Sequence, residues 1–198
     1  MKQESTQNNP ILQNIYSRRS IRNFSNEQVS DENIREIIKA GTFAPSAINK
    51  QPWRFVVIKN QEAITRFGER AKKRWLTLYK DSQDPDIQGL LKFMAQPKTN
   101  IFYGAPLLVL VFSSPEAFRG DIDCALAAEN MMLAAHSMKI GSCWIGLAMT
   151  LGSDTDFTRE IGVPEDHKLV APLIFGYPEK KSGRAPSRKG DVILNWIE

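Results

Sequence analysis

The chain has 198 residues, 42% of them hydrophobic, which suits one globular domain with a sizeable core. A net charge of +4 and a pI near 9.1 make it mildly basic, but its acids are interspersed and no dense Lys/Arg run occurs, so nucleic acid is not an expected partner. Cys124 and Cys143, the two cysteines, form no CxxC motif, which argues against a disulfide framework or a zinc site. No stretch is long enough to span a bilayer, so the expected setting is cytoplasmic, away from membranes.

In chain order, the first expected element is a short helix opening at Pro10, with Ile11, Leu12 and Ile15 on one side. Residues 17–29 read as irregular and basic. Ser30 is a helix N-cap followed by Asp31 and Glu32, with Ile34, Ile37 and Ile38 as the buried stripe and Gly41 and Pro45 as the stop. Trp53 to Ile58 and Pro106 to Phe112 have strand composition. Between them, residues 64–103 show a mixed helical pattern carrying Trp75, Tyr79, Phe93, Phe102 and Tyr103. That is long for a connection, and it reads either as a lid that selects a planar acceptor or as aromatic core.

A long Ala-rich helix is expected from Asp121 to Lys139, stopping at Gly141. Strands at Ser142 to Ile145 and Leu169 to Phe175 follow, with a helix near Asp154 to Ile161 between them. Residues 177–198 look like an extended arm, basic first and then apolar at Val192 to Ile197, an end that must dock on something. This alternation points to a single α/β or α+β domain built around one sheet.

Four segments carry candidate chemistry. In Arg18-Arg19-Ser20-Ile21-Arg22, an extended backbone puts Arg18, Ser20 and Arg22 on one side, where guanidinium forks and a hydroxyl suit phosphate. A solvated basic loop fits the same residues. Ala44 to Phe55 brackets small and amide residues between two prolines and presents groups suited to a heteroaromatic edge, or is an ordinary connection. Gly141 to Gly146 is a strand with glycines at both ends, open to a flat ligand or simply core. The tail from Gly183 to Gly190 is basic.

There is no GxGxxG, GxxxxGK[ST] or GxSxG motif. His136 and His167 have no ligand-spaced partners and read as structural or surface residues. Asp121 and Asp123 read as cap and first-turn charges.

Together and in this order, RRSIRNF, APSAINKQPWRF, the Ala-rich helix running into GSCWIG and the RK-containing tail resemble the nitroreductase family of flavoproteins. The resemblance covers nearly the whole chain from Ile15 onward. It implies an α+β fold with a central, mostly antiparallel sheet and an intertwined homodimer, with FMN in two interfacial clefts. By that resemblance Arg18, Arg19 and Ser20 hold the phosphate and ribityl end, and Arg22 lies near the pyrimidine edge. Pro45, Ser46, Ala47, Asn49 and Gln51 reach the flavin held mainly by the other subunit. Ile145 and Gly146 direct backbone N–H groups to the N5 and O4 region, and Arg188 closes on the phosphate.

Family members often carry a second cation where Pro186 stands here, a role that falls to Arg184 or Lys189. Lys98 and Asn100 are candidates for a family amide and cation pair that meets the ring. The implied activity is transfer of a hydride from NADH or NADPH through the flavin to a small acceptor such as a nitroaromatic or quinone, in ping-pong order. No protein acid–base dyad is required for that chemistry. A flavin-binding redox sensor without turnover is the alternative outside catalysis; dehalogenation, enoate reduction and flavin fragmentation share the motifs.

Overall fold

A computed structural model of the chain describes residues 9–180, 183, 185–190 and 192–198. Its centre is a fully buried strand, Leu107–Ser113. The pleat sends Leu108, Leu110 and Phe112 into one core and Leu107, Val109 and Val111 into another, so the strand must be covered on both faces. In chain order the strands are β1 (Trp53–Ile58), β2 (Leu107–Ser113), β3 (Gly141–Trp144) and β4 (Lys168–Gly176). They form one sheet of order β1-β2-β4-β3 with every pairing antiparallel, as expected.

The helices are α1 (Pro10–Ser17), α2 (Asp31–Thr42), α3 (Gln61–Tyr79), α4 (Pro85–Met94), α5 (Gly120–Ser137) and α6 (Thr155–Glu160). One core packs α3, α4 and the 3-10 turn Gly146–Ser153 against the sheet; the other packs α2 and α5. The result is an α+β fold with helices on both faces of the sheet.

Ser30 caps α2 by accepting from Asn33 N, and Ile34 and Ile37 are its buried stripe. The helix runs through Gly41 rather than stopping there. Gly41 is a packing residue: a Cβ would come 2.7 Å from Met131 Cγ, so α2 and α5 approach closely only without one. Residues Cys124, Ala127, Ala128, Met131 and Ala135 of α5 are fully buried, yet Ile122 and Leu126 on the same helix are exposed. A helix that is apolar all round has a second face to cover. The same holds for α1, which is capped by Asn9 but buries none of its residues, leaving Ile11, Ile15 and Tyr16 exposed. The apolar side expected of that helix exists without a cover.

Residues 64–103 are not a lid throughout. Arg70 forms a paired contact with Asp154 (2.6 and 2.7 Å), and Arg74 Nε donates to Thr150 O at 3.0 Å, fastening α3 to the body. Trp75 of α3 and Phe102 of the turn before β2 both belong to the core. Of the segment's large apolar side chains, only Leu78, Tyr79, Leu90 and Phe93, toward the outer end, are exposed. Among the described residues, no helix is long and apolar enough to cross a membrane.

Candidate functional site

At the end of α1 the chain turns extended at Arg18 and runs beside β3. Ser20 bridges Ser142 in parallel, and Ile21 N donates to Ser142 O at 2.9 Å. Gly141 permits this approach, since a Cβ there would lie 2.7 Å from Ile21 Cγ1. Farther along, Ser25 N donates to Tyr177 O at 2.9 Å, so the basic segment is sewn to the sheet edge rather than loose.

That edge concentrates positive charge. Arg18 reaches Glu129 at 3.5 Å. Arg19 Nη1 donates to the carbonyls of Tyr16 (2.7 Å) and Arg18 (2.5 Å), yet its Nε is buried with no partner. Beside it opens a cleft of about 550 Å³ whose charged and titratable lining is Arg19, His136, Lys139, Lys180 and one acid, Glu179; Arg18, Ser20 and Arg22 stand outside its lining. His136 Nε2 lies 2.8 Å from Ser17 Oγ. Burial, and then the charges of Arg18 and Arg19, hold the His136 imidazolium below its usual pKa. A buried unpaired N–H at a basic cleft is what an anion would satisfy. Ser20 and Arg22 face solvent, and the Arg22 guanidinium carbon lies 5.9 Å from the centre of the Tyr103 ring.

The second segment is a strained loop. Ile48, Asn49 and Gln51 have φ of +47°, +55° and +48°, a left-handed region that asparagine tolerates but isoleucine and glutamine avoid. Cross-bracing holds it: Gln51 N donates to Ser46 Oγ at 2.9 Å, Gln51 Nε2 to Asn49 Oδ1 at 2.9 Å, and Ala47 N to Asp123 Oδ1 at 3.1 Å. Strain maintained by this much bracing points to a functional loop. Asp123 is a first-turn residue as expected, but it is also a buried anchor, and its Oδ2 has no partner among the described residues. Arg119, not an aspartate, occupies the N-cap position of α5. Pro45 leads into the loop.

The third segment departs from expectation in one atom. Ile145 N donates to Pro172 O at 2.8 Å, so that N–H extends the sheet and is not free for a ligand. Gly146 opens the 3-10 turn, where leading N–H groups lack helical acceptors, and a Cβ on it would meet nothing within 4 Å. The backbone is therefore open at Gly146. Cys143, beside it, is buried, and burial pushes its thiol pKa up, which does not suit a nucleophile.

Arg188 and Lys189 are exposed, and neither pairs with a carboxylate among the described residues; Arg184 lies outside the described residues. Asn100 is a turn former, its Oδ1 accepting from Phe102 N at 2.9 Å, and Lys98 is exposed.

One chain does not bring all of these residues together. The loop of Pro45, Ser46, Ala47, Asn49 and Gln51 is tied to Asp123 near the start of α5, whereas Arg18 reaches Glu129 at its middle and Ser17 and Arg19 lie by His136 toward its end. From Asp123 the helix rises roughly 9 Å to Glu129 and roughly 20 Å to His136.

Comparison with known proteins gives a consistent picture. The family model described as "Nitroreductase family" matches residues 15–177. A protein of Archaeoglobus fulgidus, provisionally named NADH dehydrogenase/NAD(P)H nitroreductase, is 32% identical over 85% of each chain. An iodotyrosine deiodinase of Thermotoga neapolitana is 27% identical, covering 90% of this chain and 93% of its own. The crystal structure of a Bacteroides fragilis nitroreductase with bound FMN superposes with a TM-score of 0.79 at 28% identity, over 96% of this chain and all of that one. With a family model spanning most of its length and FMN-bound structural relatives, this chain belongs to the nitroreductase family.

Proposed function

We propose that this chain binds FMN, works as a homodimer, and passes a hydride from NADH or NADPH to a small planar acceptor such as a nitroaromatic or quinone. The carrying observation is the Arg18–Arg22 run fixed along β3, with the buried, unpartnered Arg19 Nε beside a basic cleft. Those groups fit a flavin monophosphate. Bound FMN would supply the two-electron chemistry.

The residues of the chain do the rest. Arg18, Arg19 and Ser20 hold the phosphate and ribityl end, with Arg188 and Lys189 closing from the tail. Arg22 places a fixed positive charge at the pyrimidine edge, which favours the more negative, reduced ring. Gly146 lets the ring lie close to the backbone. The loop of Pro45, Ser46, Ala47, Asn49 and Gln51 serves the flavin of the other subunit.

The separation of the two half-sites supports the dimer. Pairing α5 with a second α5 about a twofold axis covers Ile122 and Leu126, and sets the Asp123 end of one subunit beside the Arg18 end of the other. The exposed Val192, Ile193 and Trp196 of the arm find cover in the same assembly. The outer end of the excursion, Tyr79 to Phe93, is the part left to select the acceptor.

A visible absorption spectrum of the purified protein tests the assignment, with FMN expected in the released flavin and bleaching expected on addition of NADH or NADPH. A folded, colourless protein that cannot be reconstituted with FMN would overturn it. A yellow protein that nicotinamide does not reduce would favour a redox sensor. Initial rates with varied acceptor should give parallel lines, and intersecting lines would count against ping-pong turnover. Reductive dehalogenation is a second reading, favoured by the deiodinase relative; a halophenol turned over faster than nitroaromatics would select it.

A further inference from the structure

The turn that carries the chain from α4 into β2 is tightly specified at Tyr103. Asn100 caps it twice, with its Oδ1 accepting from Phe102 N at 2.9 Å and its carbonyl from Tyr103 N at 3.1 Å. Ile101 and Phe102 are buried and pin the turn to the core. Tyr103 has φ of +55° and Gly104 +69°. A tyrosine in the left-handed region is strained, and a glycine would satisfy the backbone better. What tyrosine adds is its ring, half-buried on the core and reached by the Arg22 guanidinium at 5.9 Å, within cation–π range.

Arg22 needs such a partner. Arg18 has Glu129, but no carboxylate pairs with Arg22 among the described residues. A long side chain on an exposed edge samples many rotamers, and a wandering charge stabilises nothing in particular. A guanidinium attracted to the face of a ring that a doubly capped turn holds in place samples fewer directions.

We propose that Tyr103 is a positioning residue whose ring holds the Arg22 guanidinium at the pyrimidine edge of the flavin and thereby favours the reduced cofactor. The inference rests on the FMN assignment above.

The test uses holoprotein and reads two quantities: FMN dissociation by fluorescence, and the two-electron midpoint potential by equilibration with a reference dye. Y103F keeps the ring and should match wild type. Y103L should make the potential more negative, lowering the preference for reduced over oxidised FMN about two- to fivefold, the size of an exposed cation–π contact. R22A should shift it further in the same direction, and Y103L added to R22A should do nothing more. Y103G removes the ring while relaxing the backbone, so it separates the ring's effect from misfolding and should behave as Y103L.

No shift in Y103L and Y103G alongside a clear R22A effect would overturn this inference alone, as would an equal Y103L shift in the R22A background. An R22A protein with unchanged potential would remove Arg22 from the pyrimidine edge and overturn this inference, whereas a wild type that takes up no FMN would overturn the flavin assignment and this inference with it.

Discussion

Asp123 accepts a hydrogen bond from the backbone N–H of Ala47 at 3.1 Å, and this one contact ties the left-handed loop to the start of α5. The carboxylate is buried and lies far in sequence from the loop it holds. Asp123→Ala leaves a part-buried N–H without an acceptor, at a cost of about 1–3 kcal/mol. Denaturant unfolding should show that loss. FMN affinity should fall by roughly tenfold, since the loop would relax from its strained form. Unchanged affinity would detach the loop from flavin binding.

Gly141→Ala should disturb the basic edge more than the sheet. The added Cβ would lie 2.7 Å from Ile21 Cγ1, so the Arg18–Arg22 segment must move off β3. Overpacking of this kind costs about 1–3 kcal/mol. The expected signature is weaker FMN binding with near-native far-UV circular dichroism; a variant that binds FMN like wild type would contradict the placement.

His136 gives the apoprotein a pH dependence of definite sign. Its folded pKa is depressed by burial and by Arg18 and Arg19, below the ordinary value of 6.5. The unfolded chain therefore binds the proton more readily. This contribution to stability is present above about pH 6.5 and declines as pH falls through the folded pKa. His136→Gln should flatten the melting-temperature profile between roughly pH 6.5 and 5. Because an anion in the cleft favours the imidazolium, saturating FMN should also reduce the dependence; a profile that FMN leaves unchanged would argue against an anion beside His136.

The middle excursion should divide into core and surface. Trp75→Ala removes a buried ring and should cost about 3–5 kcal/mol, lowering FMN content along with stability. Phe93→Ala, on the exposed end of α4, should change stability by less than about 1 kcal/mol while altering the ratio of rates for bulky and small acceptors. Equal rate losses for every acceptor in Phe93→Ala would remove the selector role from α4.

Leu126→Glu places a charge on the outward face of α5. Light scattering should then report a monomer or a weakened dimer, with flavin lost in parallel because each site draws on both ends of α5. A flavin-loaded Leu126→Glu monomer at micromolar concentration would show that one chain completes the site by itself.

Much of this architecture was legible in the residues. The Ser30 cap with its Ile34 and Ile37 stripe, the bounds of β1 and the apolar run of β2 follow from local periodicity and capping, which depend on neighbours in sequence. The four motifs likewise carried the family. Periodicity, however, says that a face is apolar without saying what covers it. Only the tertiary structure showed that α1 and the outer side of α5 stay uncovered in one chain while Trp75 is covered.

Nor does sequence spacing measure distance through space. The anchoring of the loop at Asp123, the use of the Ile145 N–H by Pro172, the unpaired Arg19 Nε and the meeting of Arg22 with Tyr103 each join residues brought together only by packing. Residue types determined which chemistry was available; the approach of distant segments decided which atoms remained free to perform it.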